Sequence, residues 1–115
     1  MAYYYFNNCP EGKVGELARF LGKSRMVEVE AASPVREWRK DDSRSIWLAE
    51  YDPRRKKTPL LFQTHLGVDY RNPEVLEIMR GIIPILEASA IYEGHDCSRT
   101  LPMDTFKNVE REQRR

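Results

Sequence analysis

Residues 72–94 (NPEVLEIMRGIIPILEASAIYEG) hold the densest apolar material of the chain, and they constrain the fold more than any other segment. Apolar side chains recur there at a spacing that places them on more than one side of a helix. Asn72 is a favourable N-cap, and Pro73 suits the first helical position, where a missing N–H costs nothing. Gly81 and Pro84 weaken or kink a helix interior. The segment therefore predicts a buried helix beginning at Pro73, and it leaves open one kinked helix or a helix followed by a strand.

Size and composition limit the classes of protein. The chain has 115 residues, which suits one domain with one core. Lys and Arg number 19 against 18 Asp and Glu, so a chain-wide positive surface for nucleic acid or an anionic membrane is excluded. Two cysteines make no disulfide framework, the sequence opens without a signal-peptide pattern, and Arg80 and Glu87 interrupt the longest apolar stretch. We therefore expect a soluble cytoplasmic protein without a membrane partner.

The first part of the chain predicts a strand and then a helix. Residues 2–6 (AYYYF) are aromatic and β-prone. Pro10 at a first helical position makes Cys9 the N-cap, and Gly22 is a stop signal. Between them, four apolar residues share one face at helical spacing: Val14, Leu17, Ala18 and Leu21. This pattern predicts an amphipathic helix of about three turns.

The middle of the chain predicts strands. Residues 26–31 alternate as a half-solvated strand, residues 35–39 form a short strand before a polar turn at 40–43, and residues 60–66 alternate again. Residues 45–51 (SIWLAEY) are apolar on both faces, as in a central strand. That strand and the apolar helix are also surfaces on which a second copy of the chain would pack, so a homodimer is an open alternative.

These elements predict an α+β fold with two helices packed on one face of a mainly antiparallel sheet of four or five strands. We expect residues 1–94 to form a single compact domain. Residues 95–115 are polar, and we expect a C-terminal extension that is partly disordered or a frayed helix.

Four consecutive cations, Arg54, Arg55, Lys56 and Lys57, are the strongest local feature outside the core. They lie in a proline-bounded connection between two predicted strands, at the tip of a hairpin. Such a basic loop would contact phosphates or an acidic protein face, helped by Arg111, Arg114 and Arg115 in the tail. The structural alternative is a solvated loop whose charge keeps the edge of the sheet soluble.

Aromatic residues in the predicted strands bear on the same question, because an exposed sheet with aromatic side chains stacks bases in RNA-recognition domains. Alternate residues of a strand share a face, so Tyr3 and Tyr5 are predicted to project together with Tyr4 opposite. We expect most of the aromatic rings in the predicted strands (Tyr3, Tyr4, Tyr5, Trp38, Trp47 and Phe62) to be core or half-buried packing, as is usual for aromatic residues in strands.

Cys9 is the candidate for covalent chemistry, because a helix N-terminus stabilises a thiolate. A strand, the sequence C-P-E-G (residues 9–12) opening a helix, and the later G-I-I-P (residues 81–84) together resemble the thioredoxin-like arrangement, in which a proline faces the reactive thiol. The resemblance covers only the surroundings of Cys9 and Pro84, and the second cysteine of that motif is absent. It implies a single-thiol enzyme; otherwise Cys9 is a small buried apolar side chain.

Other constellations point to no chemistry. His95, Asp96 and Cys97 are adjacent, but adjacent residues do not converge on one point in regular structure, and triads are assembled from distant residues. A metal site needs further ligands, and His65 and Cys9 are remote in sequence. The sequence contains no phosphate-binding glycine loop and no nucleophile elbow. We therefore expect no catalytic residues, no metal and no cofactor.

Three hypotheses of function follow. The first is a small non-catalytic module that binds another protein by surface contact, as an inhibitor or as an accessory subunit of a larger assembly. The second is nucleic-acid binding through Arg54, Arg55, Lys56 and Lys57. The third is the single-thiol enzyme using Cys9. The first is preferred, since the chain is compact and lacks a catalytic constellation.

Overall fold

A computed structural model of the chain describes residues 2–41 and 46–107. Its strands are β1 (Ala2–Phe6), β2 (Val27–Val29), β3 (Arg36–Asp41), β4 (Ile46–Tyr51), β5 (Leu60–Thr64), β6 (Ile91–Glu93) and β7 (Arg99–Leu101). Its helices are α1 (Val14–Lys23), α2 (Pro73–Leu86) and the short α3 (Asp104–Lys107).

All seven strands belong to one antiparallel sheet in the order β2-β3-β4-β5-β1-β6-β7. The α+β class and the antiparallel sheet are confirmed; the sheet has seven strands rather than the predicted four or five, and a third, short helix accompanies the two long ones. The N-terminal strand β1 lies inside the sheet, where it pairs Tyr4 with Phe62 of β5 on one side and with Glu93 of β6 on the other.

The core occupies one face of the sheet. Alternate side chains of the central strands are buried there against α1 and α2, among them Tyr4, Phe6, Trp47, Phe62 and Leu60. The intervening side chains point to the opposite face, which none of the described helices covers. We call this the uncovered face. Trp38, Trp47 and Phe62 are buried, which confirms that these rings are part of the core.

The helix predicted from residue 73 is confirmed as α2. Asn72 is its N-cap and accepts hydrogen bonds from the backbone N–H groups of Glu74 and Val75. The helix ends at Leu86, followed by Glu87 in the left-handed region at φ 53°. A strand, β6, then follows, so the second of the two open alternatives for residues 72–94 is correct.

Gly81 has a packing role inside α2. A Cβ at this position would lie 2.0 Å from Cζ of Phe20 on α1. The absence of a side chain therefore lets the Phe20 ring rest against the helix backbone. Gly81 lowers the intrinsic stability of α2, but the contact between α1 and α2 requires it.

The start of α1 differs from the prediction. A 3-10 turn at Glu11–Lys13 follows Pro10, and the α-helix begins at Val14 and ends at Lys23. Cys9 is therefore not its N-cap, because three residues of tighter backbone separate the thiol from the first α-helical turn.

The polar turn predicted at residues 40–43 is partly wrong. Lys40 and Asp41 continue β3, while residues 42–43 lie outside the described residues. Lys40 is buried, forms an ion pair with Glu74 at the start of α2, and lies 4.7 Å from the ring centroid of Trp47. Its charge is thus held by a carboxylate and a ring face, which a buried ammonium requires.

The chain remains part of the fold beyond Gly94, where the sequence places the end of the domain. Leu101 of β7 and Phe106 of α3 are buried in the core. Arg80 of α2 donates to the backbone carbonyls of Thr105 and Phe106, at 2.9 and 3.1 Å. The predicted polar extension therefore supplies a strand and a short helix, and its basic tail (Arg111, Arg114 and Arg115) lies outside the described residues.

Within residues 2–41 and 46–107, no helix is both long enough and apolar enough to cross a membrane.

Candidate functional site

The basic loop between β4 and β5 carries less free charge than its sequence indicates. Arg54 binds Asp52 with two guanidinium contacts, Nε to Oδ1 at 2.9 Å and Nη2 to Oδ2 at 3.1 Å. The backbone N–H of Arg54 donates to the same carboxylate at 3.0 Å. These hydrogen bonds lower the pKa of Asp52 and hold the Arg54 side chain over its own turn.

Arg55 is also paired. Its Nη2 lies 2.9 Å from Glu50 of β4, and its Nε lies 3.9 Å from Asp52. Within the described part of the chain, no carboxylate lies within ion-pair distance of Lys56 or Lys57. Asp52 in the loop and Glu50 in β4 therefore offset two of the four cations of the loop, which leaves an excess of two positive charges. Whether Arg54, Arg55, Lys56 and Lys57 contact a partner stays a prediction.

Three tyrosines lie together on the uncovered face. Tyr3 and Tyr5 project from β1 and are half-buried, while Tyr4 is buried on the core face, as the alternation predicts. Tyr92 of β6 pairs directly with Tyr5 across the antiparallel ladder. We call Tyr3, Tyr5 and Tyr92 the tyrosine patch.

Charged and aromatic side chains border the tyrosine patch at both ends. Lys57 Nζ lies 5.7 Å from the ring centroid of Tyr92. The His95 ring lies 3.9 Å from the ring of Tyr3, at an interplanar angle of 42°. The patch thus joins three elements that are remote in sequence: the N-terminal strand, the basic loop and the turn after β6.

Tyr92 was missed because residues 72–94 were interpreted chiefly as a helix. Its signal is weak: residues 87–90 lack the strong helix periodicity of the preceding turns, and Ile91 and Tyr92 are β-prone residue types. A three-residue strand gives too little alternation for sequence to identify.

The other half of the uncovered face is more apolar. Val27 of β2 and Ile46 of β4 are exposed there, with 67% and 57% of their surface accessible. A shallow cleft of about 250 Å³ lies beside Ile46, lined by Arg39, Leu48, Gln63 and His65 among others. The backbone N–H of Ile46 donates to His65 Nδ1 at 3.4 Å, so the His65 side chain provides a hydrogen-bond acceptor at the first residue of β4. We call Val27, Ile46, Leu48 and the cleft the apolar patch.

Cys9 is half-buried, and burial raises its pKa to about 11. An activated thiol requires the opposite shift. Pro84, the second residue of the thioredoxin-like resemblance, lies exposed in the last turn of α2. Pro84 thus belongs to a helix, and the pKa of the Cys9 thiol is raised rather than lowered.

His95, Asp96 and Cys97 do not form a catalytic group. The His95 ring packs against Tyr3 at a tilted angle, whereas hydrogen bonds from the Ser98 side chain and from its backbone N–H, the latter at 3.1 Å to Asp96 Oδ1, lower the pKa of Asp96. Cys97 lies in the turn at φ 57°. Among the described residues, no three His, Cys, Asp or Glu side chains are grouped as metal ligands.

A cleft with a volume of about 420 Å³ lies at the end of β1 and β6. Its two arginines are each paired with a carboxylate: Arg71 with Asp69 at 2.5 Å and Arg99 with Glu93 at 2.9 Å. These pairs leave the cleft without an uncompensated arginine to attract an anion.

The sequence and the fold were compared with known proteins. No family model, no curated protein and no solved structure matches the chain.

Proposed function

We propose that the protein is a non-catalytic binding module that contacts another protein through the apolar patch, as an inhibitor or an accessory subunit of a larger assembly. The observation that carries this proposal is the exposure of Ile46, at 57%, in a regular strand beside an open cleft. Isolated exposed apolar residues are common on protein surfaces, but a group of them beside a cleft is typical of a site of protein contact.

The shape of the patch favours a protein partner over a small molecule. The cleft beside Ile46 is shallow and holds about 250 Å³, less than the roughly 300–1,000 Å³ of ligand pockets. An apolar side chain of a partner would enter it, with Arg39 and Glu37, paired at 2.9 Å, forming part of a polar rim.

The test compares partner capture by three forms of the full chain from extracts of the cells that produce it, quantified by mass spectrometry. Ile46→Glu places a charge in the patch without removing buried packing. Thr100→Glu is the matched control, because it places the same charge on the uncovered face at the opposite edge strand, β7. Circular dichroism establishes that both variants are folded.

We expect one protein, or one assembly, to be retained by the wild type and by Thr100→Glu and depleted at least tenfold by Ile46→Glu. Equal recovery by all three forms contradicts the proposal. A change from dimer to monomer caused by Ile46→Glu in sedimentation, with no other protein lost, would replace the partner by a second copy of the chain.

A further inference from the structure

The tyrosine patch is separate from the apolar patch and has the geometry of a stacking surface. Tyr5 and Tyr92 are direct cross-strand neighbours. Tyr3 follows on the same face of β1, about 7 Å from Tyr5 along the strand, since two residues rise about 3.3 Å each. Three rings therefore lie in one contiguous area on two adjacent strands.

These rings are not needed for the core. The buried side chains of β1 and β6 are Tyr4, Phe6 and Ile91, all on the opposite face. Tyr3, Tyr5 and Tyr92 are half-buried at a surface that none of the described helices covers. An aromatic side chain with a polar tip suits such a position when one face of the ring contacts a ligand.

Positive charge lies at one end of the rings. Lys57 extends over Tyr92, with Nζ 5.7 Å from the ring centroid, and Lys56 is exposed beside it. Arg55 lies near Tyr5, where its charge opposes the increase in the Tyr5 pKa that burial causes. The carboxylates of Glu50 and Asp52 neutralise two of the four loop cations, so the end of the patch keeps an excess of two positive charges.

We propose that the tyrosine patch binds single-stranded nucleic acid, with bases stacked on Tyr3, Tyr5 and Tyr92 and the phosphates directed to Lys56 and Lys57. Stacking accepts any base because each has a π face, and the loop supplies the electrostatic attraction. A duplex does not fit, since its bases are already stacked and paired. This inference goes beyond the protein contact and does not depend on it.

The position of the cations distinguishes this proposal from binding by the basic loop alone. A loop that bound only by charge would gain nothing from the rings, and its arginines are already held by Asp52 and Glu50. In the proposed mode, Lys56 and Lys57, which form no ion pair with a carboxylate of the described residues, begin a path that continues over Tyr92 and Tyr5 toward Tyr3 and His95. Both the aromatic rings and the lysines must then contribute.

The experiment is fluorescence anisotropy of labelled ten-nucleotide oligo(U) and oligo(dT) with the full chain at 50 mM salt, repeated at higher salt. Tyr92→Ala removes a ring, and Tyr92→Phe keeps the ring but removes the hydroxyl. Lys57→Gln removes a phosphate contact. Lys23→Gln is its matched control, since Lys23 is an exposed cation at the end of α1, away from the uncovered face.

We expect Tyr92→Ala to weaken binding about tenfold, within the range of roughly 1–3 kcal/mol for a base stacked on an aromatic ring. Tyr92→Phe should bind as the wild type. Lys57→Gln should weaken binding and lower the salt slope by about one, whereas Lys23→Gln should leave both unchanged. A preference for oligo(U) identifies contacts with the 2′-OH of RNA, because the extra methyl group of thymine favours oligo(dT).

Absence of binding to both oligomers overturns the proposal. So does equal weakening by Lys23→Gln and Lys57→Gln, or unchanged affinity in Tyr92→Ala, because each indicates attraction by charge alone. Tighter binding to a poly-glutamate peptide than to either oligomer would assign the patch to an acidic protein. Ile46→Glu should leave oligomer binding unchanged, which separates this test from that of the apolar patch.

Discussion

Cys9 shows at the scale of one residue how burial opposes reactivity. The thiol lies before a 3-10 turn rather than at the first turn of α1, and loss of contact with water raises its pKa to about 11. Only the thiolate is nucleophilic. At pH 8, about one Cys9 thiol in a thousand is therefore ionised, against roughly one in four for a free thiol of pKa about 8.5.

We expect alkylation of Cys9 to reflect this shift. In a Cys97→Ala variant, the rate constant with iodoacetamide should rise about tenfold per pH unit from pH 7 to 10 without a plateau, because the folded-state pKa lies near 11. The same variant unfolded in urea is the control, and its rate should level off above about pH 9. A plateau below pH 8.5 in the folded protein would restore the thiol-enzyme hypothesis.

The raised pKa of Cys9 also determines the direction in which its ionisation changes protein stability with pH. The folded-state pKa of Cys9 is raised, so the folded chain holds the proton more tightly than the unfolded chain does. This contribution to stability is complete below the unfolded pKa, roughly 8.5, and is lost as pH rises toward 11. Near neutral pH this contribution is constant, so the ionisation of Cys9 causes no change of stability with pH there.

At the scale of single residues, the sequence predicts which side chains of a strand share a face, but it does not predict which charged side chains form ion pairs. The opposite directions of Tyr4 and its neighbours follow from the two-residue period of a strand. The free charge of the basic loop cannot be predicted from its sequence. Glu50 on the preceding strand forms an ion pair with Arg55, and Asp52 forms one with Arg54 across a tight turn. Four adjacent cations therefore overstate the free charge.

At the scale of elements, Gly81 and Phe20 fix how α1 meets α2. A methyl group at Gly81 would lie 2.0 Å from the Phe20 ring, so the ring must leave its place. We expect Gly81→Ala to destabilise the protein by about 1 kcal/mol, because overpacking outweighs the helix propensity gained. In a Phe20→Ala background the same change should stabilise by roughly 1 kcal/mol. Urea denaturation of the four forms measures the coupling.

Gly15 is the matched control for that cycle. It lies near the start of α1, and a Cβ there meets nothing within 4 Å. Gly15→Ala should stabilise the protein by roughly 0.5–1 kcal/mol in both backgrounds, since only helix propensity changes. If Gly81→Ala has the same sign with and without Phe20, the contact between the helices does not require the glycine.

Elements with a strong local signal were predictable, and short ones were not. The capped start of α2 and the strands β1, β4 and β5 carry cap residues or enough alternation to be identified. The strands β6 and β7 have three residues each; β6 pairs with the edge of β1, and β7 pairs with β6. Their pairing is a property of the assembled sheet, and the sequence of residues 91–101 carries only a weak signal for it.

At the scale of the whole molecule, β1 joins two parts of the chain that are far apart in sequence. On one side it pairs with β5, which continues to β4, β3 and β2; on the other it pairs with β6 and β7. Among the described strands, β6 and β7 join the backbone hydrogen bonds of the larger part of the sheet through β1. We therefore expect the molecule to unfold as one cooperative unit, although β1 pairs with strands far from it in sequence.

Phe6→Leu tests this cooperativity. Phe6 is buried in β1 between Leu60 and Ile91, and the substitution should cost roughly 1 kcal/mol through imperfect packing. The buried tryptophans, Trp38 and Trp47, report on β3 and β4, whereas far-UV circular dichroism reports on the whole backbone. Because β1 couples the two parts of the sheet, both signals should shift to the same lower urea midpoint. A tryptophan transition that stays at the wild-type midpoint while the dichroism signal shifts would mean that β1 to β7 do not form one folding unit.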